Sequence, residues 1–319
     1  MSYTILSGGV GGAKLVAGFD ALFSSAELRV IANTGDDFVH LGLSISPDLD
    51  TLMYTLAGIA NPETGWGITD ETFNCMSALE ELGGETWFRL GDRDIATHLQ
   101  RSSMLADGVS LSDVTHTLCT QLNVECPIIP MTDDKVATLV HTDAGVLEFQ
   151  DYFVNRQAEP AVEQLVYSGS DSAEISEAAR EALSRDSLQA IVLTPSNPYL
   201  SIDPILSIPA LRTAVKDSAA PVIAVSPVVG GKALKGPTAK IMQELGIEST
   251  ALSIAKHYHG IIDGLVIDTA DSDLEAEISA LGIQVYICNT VMSDISSKKD
   301  LAAAVTEFAA SIQTDIPKL

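Results

Sequence analysis

The sequence predicts an α/β protein built on a doubly wound, mostly parallel sheet with an inserted α+β subdomain, and three observations carry that prediction. Short apolar, β-branched runs alternate with helix-length segments, the mark of parallel βαβ units. The first run ends directly in a glycine-rich turn that opens into a helical pattern. Two later runs end in loops of small polar, Gly or Lys residues, and a doubly wound sheet puts its ligands at the carboxyl ends of its strands.

Taken in order, residues 3–6 form the first expected strand and LVAGFDALF the helix behind its turn. Residues 28–32 form the second strand, and a helix is expected to begin near Thr51. Between 136 and 154, VATLVHT and VLEFQDYFV flank Asp143-Ala144-Gly145 as a β-hairpin. The inserted subdomain is placed at about residues 90 to 170 of a single domain spanning 1–319. Residues 172–184, SAEISEAAREALS, read as an exposed amphipathic helix. Further strands are expected at 190–193, 222–225, 265–267 and 284–288.

Composition bounds the function. The chain has 319 residues, 46% hydrophobic and 19% charged, which excludes a disordered or fibrous protein. Eighteen Lys and Arg against 43 Asp and Glu give a net charge of −25, which argues against nucleic acid and anionic membranes as partners. No apolar stretch approaches the ~18 residues of a membrane span and the N-terminus does not read as a signal peptide, so a cytoplasmic protein is expected. Cys75, Cys119, Cys126 and Cys288 fall at no metal-like spacing and read as reduced, mostly buried residues. Within residues 1–88 the only Lys or Arg side chains are Lys14 and Arg29, so an anionic ligand there must be held by backbone N–H groups or a metal.

The sharpest motif is Leu6-Ser7-Gly8-Gly9-Val10-Gly11-Gly12-Ala13-Lys14. Gly8, Gly9, Gly11 and Gly12 let the backbone turn tightly and bring N–H groups and a helix N-terminus against a phosphate. The run fits neither G-x-G-x-x-G nor G-x-x-x-x-G-K-[ST]. Asn33-Thr34-Gly35-Asp36-Asp37 follows the second strand, then Ser46-Pro47-Asp48-Leu49-Asp50-Thr51. Asp48 and Asp50 point the same way if extended and can share a hard cation such as Mg²⁺; equally, Asp48 can be a helix N-cap. The segment 87–98 concentrates Arg89, Arg93 and His98 in a chain poor in basic residues, suited either to anion binding or to a structural Arg–Asp network. Ser196 and Asn197 follow the strand at 190–193, and Lys232 and Lys235 follow that at 222–225. These strand-end loops can meet a diphosphate from the side opposite the glycines, or be ordinary turns.

The ordered set SGGVGGAKL, NTGDD, ISPDLDTLMYTLAG, WGITDETF, WFRLGDRDIATHLQRSSML, TPSNPYLSIDPIL and SPVVGGKALKGPTAK resembles the 2-phospho-L-lactate transferase family of deazaflavin coenzyme F420 biosynthesis. The resemblance implies a Rossmann-like fold and a homodimer. It implies transfer of a phospholactyl-type group from a guanosine diphosphate-linked donor to 7,8-didemethyl-8-hydroxy-5-deazariboflavin, with release of GMP and with Mg²⁺ present. It further places the metal on Asp48 and Asp50 and the nucleotide phosphates beside Gly8, Gly9, Gly11 and Gly12. Asn33, Asp36 and Asp37 line the same crevice, Ser196, Asn197, Lys232 and Lys235 complete the donor site, and Arg93 and His98 fall on the acceptor side. A non-enzymatic nucleotide-sugar-binding protein of the gluconeogenesis-factor-like group is the alternative, against which the DLD and GDRD elements stand. A nicotinamide-dependent oxidoreductase is disfavoured by the lack of an acidic ribose ligand some 20 residues past a proper G-x-G-x-x-G.

Overall fold

The structure, a computed structural model, describes residues 1–233 and 237–315. Its centre is a sheet of seven parallel strands: β1 (Ser2–Ser7), β2 (Leu28–Ala32), β3 (Ile128–Pro130), β4 (Leu188–Leu193), β5 (Val222–Val225), β6 (Gly264–Asp268) and β7 (Gln284–Cys288). Across the sheet they run β3-β2-β1-β4-β5-β6-β7. The chain therefore winds outward from β1 to β3, then crosses back to lay β4 beside β1. Such a reversal opens a crevice at the carboxyl ends of the two strands where it occurs. The expected doubly wound sheet is the one observed.

The strands read as unbroken apolar runs because helices cover both faces. On one face Ile5, Val30, Val192 and Val266 pack with α1 (Gly9–Asp20), α2 (Pro47–Leu56) and the C-terminal helix Ile295–Asp315 through Leu15, Phe19, Met53 and Phe308. On the other, Leu6, Ile31, Leu193 and Ile267 pack with the helices Pro209–Lys216 and Ala251–His257 through Leu211, Val215 and Ile254.

Residues 90–170 do not form one continuous insertion. They begin with α4 (Asp92–Ala106) and α5 (Leu111–Gln121), preceded by the short α3 (Asn74–Glu81), but then return to the central sheet as β3, which pairs with β2 through Val30–Ile128 and Ala32–Pro130. The sequence hides β3 because it is only three residues long and ends in a proline, which an edge strand tolerates. What stands outside the main sheet is a three-stranded antiparallel sheet, Ala137–Thr142, Gly145–Glu148 and Val162–Ser168, which includes the expected hairpin. The helix expected over 172–184 starts later, at Glu177, because Ser176 accepts from the amide of Ala179 and caps it there. Likewise α2 begins at Pro47 rather than near Thr51.

Candidate active site

The crevice lies between the loops that follow β1, β2 and β4. Gly8 and Gly9 turn the chain from β1 into α1, and Gly9 has φ +62, a left-handed conformation open to glycine at no cost. Asp48 Oδ1 accepts from the Gly9 amide at 2.6 Å and Ser196 Oγ from the Gly8 amide at 3.3 Å. Ser196 Oγ also lies 2.5 Å from the Gly8 carbonyl and 2.8 Å from Thr194 Oγ1. The glycine turn is thus gripped by a carboxylate on one side and by β4's loop on the other. Gly11 and Gly12 serve that grip: a Cβ on Gly11 would stand 2.7 Å from the Pro195 carbonyl oxygen, and one on Gly12 would strike the hydroxyls of Ser7, Ser196 and Thr194. These two glycines make room for the neighbouring loop. With the Gly9 amide taken by Asp48, the next first-turn amides of α1, which have no intrahelical partner, are what the turn offers an anion.

Beneath the turn lies an acidic bed. Asn33 Nδ2 donates to Asp36 Oδ1 at 3.1 Å, Asp48 Oδ2 at 2.9 Å and the Leu200 carbonyl at 3.1 Å, while its Oδ1 accepts from Gly35 N at 2.8 Å. Asp37 accepts from Ser46 Oγ at 2.7 Å, and its Oδ1 is buried without a partner among the described residues. Burial, then the charges of Asp48 and Asp37, push the Asp36 carboxyl well above the usual range, and burial does the same to Asp37. Asp48 is pushed up to about 6 by burial, against the hydrogen bonds of Asn33, Gly9 and Ser201.

Asp48 and Asp50 do not share a face. Both lie in the first turn of α2, where residues two apart point to opposite sides, whereas the shared-cation expectation assumed an extended chain. Asp48 faces Gly9 and Asn33. Asp50 is clamped by Arg101, whose Nη1 donates to Asp50 Oδ2 at 3.1 Å and whose Nη2 pairs with Oδ1. Nor is Asp48 an N-cap, since Ser46 precedes the helix.

An oxygen-only cation fits one part of this bed. No group of three or more His, Cys, Asp or Glu among the described residues forms a cage. Mg²⁺, however, is bound through one or two carboxylates, waters and substrate phosphate oxygens rather than a protein cage. Asp36 and Asp48, converging on one Asn33 amide, meet that requirement, whereas Asp50 is already neutralised by Arg101.

The other expected residues are spread more widely. Asn197 caps the segment after β4, its Oδ1 accepting from the amides of Tyr199 and Leu200, with Nδ2 buried and unpartnered among the described residues. Arg93 is exposed and bound to the Thr69 carbonyl at 3.0 Å. His98 is 1% exposed, its Nδ1 lying 3.1 Å from Arg101 Nη1. Lys232 is exposed on the hairpin Val228–Val229 and Lys232–Ala233, whose Val228 is buried in the core and whose Gly230 amide Asp271 anchors at 2.9 Å. The glycine turn's hydrogen bonds go to Asp48 and Ser196 and not to Lys232 among the described residues, and Lys235 falls outside them.

Sequence reading missed Arg101, Tyr54 and Gln150. Gln150 Nε2 reaches Asp36 Oδ2 at 3.3 Å from the small antiparallel subdomain, a contact no local pattern announces. Arg101 did leave a signal: Asp94, His98 and Arg101 recur at one-turn spacing on one face of α4. A cleft of about 560 Å³ opens beside α4, lined by Trp66, Phe73, Glu71, Arg89 and Asp94. Arg89 stacks 3.7 Å from the centre of the Phe73 ring.

Comparison with known proteins identifies the family and the fold. The family described as 2-phospho-L-lactate transferase CofD matches residues 4–308. A phosphoenolpyruvate transferase of Streptomyces griseus is 39% identical over 98% of this chain and 100% of its own. A 2-phospho-L-lactate transferase of Methanosarcina mazei is 37% identical over 95% of this chain and 99% of its own. Among solved structures, a UPF0052 family member from Bacillus halodurans superposes with a TM-score of 0.60 at 15% identity, covering 95% of this chain and 98% of its own, and shares the fold. Matched by the family over residues 4–308 and by full-length relatives at 37–39% identity, this chain belongs to the 2-phospho-L-lactate transferase CofD family and is a transferase.

Proposed function

We propose that the chain transfers a substituted phosphate group, phospholactyl or its enolpyruvyl or glyceryl equivalent, from a guanosine diphosphate-linked donor to the terminal ribityl hydroxyl of 7,8-didemethyl-8-hydroxy-5-deazariboflavin, releasing GMP. The observation that carries the reading is the switch-point crevice, where a helix N-terminus on a glycine turn stands over Asp36 and Asp48. A diphosphate seated there meets the amides of α1 from above, and the carboxylates below are suited to hold Mg²⁺. When bound, Mg²⁺ supplies charge neutralisation to the diphosphate and to departing GMP.

The protein's own part is positioning. The acceptor oxygen forms a bond to the distal phosphorus, the bridging bond to GMP breaks, and the hydroxyl proton is lost. Such a transfer needs alignment and charge stabilisation more than a protein nucleophile. The 560 Å³ cleft, with Trp66 and Phe73 for a ring system and Arg89 over Phe73, is of the size that takes a small-molecule acceptor. A cytoplasmic homodimer completes the proposal; no helix among the described residues is long and apolar enough to cross a membrane.

The phosphoenolpyruvate transferase of Streptomyces griseus and the 2-phospho-L-lactate transferase of Methanosarcina mazei match at 39% and 37%, so the donor acid is a matter for assay. Lactyl-, enolpyruvyl- and glyceryl-diphosphoguanosine are each incubated with acceptor and Mg²⁺, and GMP and the phosphodiester are followed by mass spectrometry. One donor should give both products in equal amounts. No product from any donor, in a protein that binds GDP, would favour the nucleotide-sugar-binding alternative; GMP released equally fast without acceptor would indicate a hydrolase.

A further inference from the structure

The transfer chemistry leaves one buried network unused. On α4, Asp94, His98 and Arg101 share the face that meets α2. Arg101 is 1% exposed. Besides clamping both Asp50 oxygens, its Nη1 lies 3.1 Å from His98 Nδ1. His98 Nε2 lies 3.3 Å from Asp94 Oδ1, which accepts from Tyr54 Oη at 2.6 Å. Asp94 is in turn a wall of the 560 Å³ cleft. At the other end, Asp50 stands two residues from Asp48, whose carboxylate holds the Gly9 amide.

Charge at this place needs a reason other than stability. A buried ion pair pays for desolvation, and well-packed apolar replacements of both partners are often as stable or more so. What an apolar pair cannot reproduce is direction: a guanidinium fork accepts a carboxylate in one plane and at one rotation. Fixing Asp50 in that plane fixes the first turn of α2, and the same guanidinium meets the histidine that touches the cleft wall.

We propose that Arg101 is a positioning residue for the transfer: by clamping Asp50 it sets the first turn of α2, and thereby holds Asp48 against the Gly9 amide in register with the Asp94 wall of the neighbouring cleft. The proposal rests on the site reading above, but its test does not depend on turnover alone.

The test compares the double variant Asp50→Leu/Arg101→Met, which removes both members of the clamped pair together, with Arg101→Lys, whose single ammonium can reach one oxygen but not form the fork. Three quantities are read: the melting temperature, steady-state kcat and donor KM, and amide exchange at Gly9 by NMR. The double variant is expected to melt close to the unsubstituted chain, to lose about 100-fold in kcat through misplacement, and to exchange the Gly9 amide at least about tenfold faster. Arg101→Lys should fall between, recovering part of kcat at unchanged donor KM. A folded double variant with undiminished kcat and Gly9 protection would overturn the proposal. Should the double variant not fold, Arg101→Lys with full kcat and full Gly9 protection overturns it equally. If the unsubstituted chain turns over none of the three donors, the functional reading fails by itself, and Gly9 exchange alone decides the positioning role.

Discussion

Asp48 sits where two helix N-termini meet, in the first turn of α2 and 2.6 Å from the Gly9 amide that opens α1. Both ends favour its anionic form, yet burial pushes it up to about 6, so desolvation outweighs the hydrogen bonds from Asn33, Gly9 and Ser201. The glycines around it were legible as a turn, but not which of them faces a ligand. Besides the nearby Ser7 hydroxyl, Gly11 and Gly12 face Pro195 and the hydroxyls of Thr194 and Ser196, contacts made 180 residues or more along the chain, which no local spacing reveals. The consequence is testable. Gly11→Ala places a methyl 2.7 Å from a backbone oxygen that cannot swing away, so it should cost about 1–3 kcal/mol of stability by overpacking. Urea unfolding reads this directly. An unshifted urea midpoint with weakened GDP binding would return Gly11 to the role of clearing space for phosphate.

At the scale of elements, the first residue of α4 caps α3, while Glu71 accepts from the Arg93 and Asp94 amides that open α4. Asp92, first in α4, accepts from Thr72 Oγ1 at 2.6 Å, Asn74 N at 3.0 Å and Cys75 N at 2.9 Å, pinning the start of α3 to that of α4. Those bonds, led by Thr72, hold its carboxyl down to about 2 against an ordinary 3.8. A depressed carboxylate contributes stability that is complete above its unfolded value and is lost as pH falls through its folded one. Asp92→Asn should therefore be less stable than the unsubstituted chain at pH 6, with the gap closing as pH falls from about 4 towards 2. Urea midpoints at several pH values measure it, and a gap that stays constant down to pH 3 would remove the capping role. Thiol reactivity probes other elements: burial pushes Cys119 and Cys126 up to about 12, so a maleimide at pH 7 should label exposed Cys75 and spare these two in the folded chain. Rapid labelling of Cys119 or Cys126 under native conditions would contradict the packing of α5 and β3.

For the molecule as a whole, six of the seven central strands were readable because strands covered on both faces carry continuous apolar runs. Only the three-residue edge strand β3 escaped, and with it the division of residues 90–170. The acidic bed was partly legible as Asp36, Asp37, Asp48 and Asp50, but its split into an Asn33-bound pair and an Arg101-bound Asp50 depends on a helix start that Pro47 sets. That split bears on how a chain of net charge −25 receives a polyanionic donor. Lys14 is bound to the Met292 carbonyl, Arg29 to the Ser25 and Leu28 carbonyls, and Arg101 to Asp50. Each of these cations already has a protein partner, so on the proposed reading long-range repulsion acts on the donor while backbone amides and the acidic bed's cation take its phosphates. Salt shortens the Debye length from about 10 Å at 0.1 M to about 3 Å at 1 M, which weakens repulsion between separated charges far more than contacts made within the crevice. Raising KCl from about 0.05 to 0.5 M at fixed free Mg²⁺ should therefore leave GDP affinity unchanged or raise it, the reverse of a site built on lysines and arginines. Calorimetric titration across that range measures the sign. A tenfold loss of affinity would mean that free basic side chains hold the diphosphate after all, with the hairpin bearing Lys232 the first place to look.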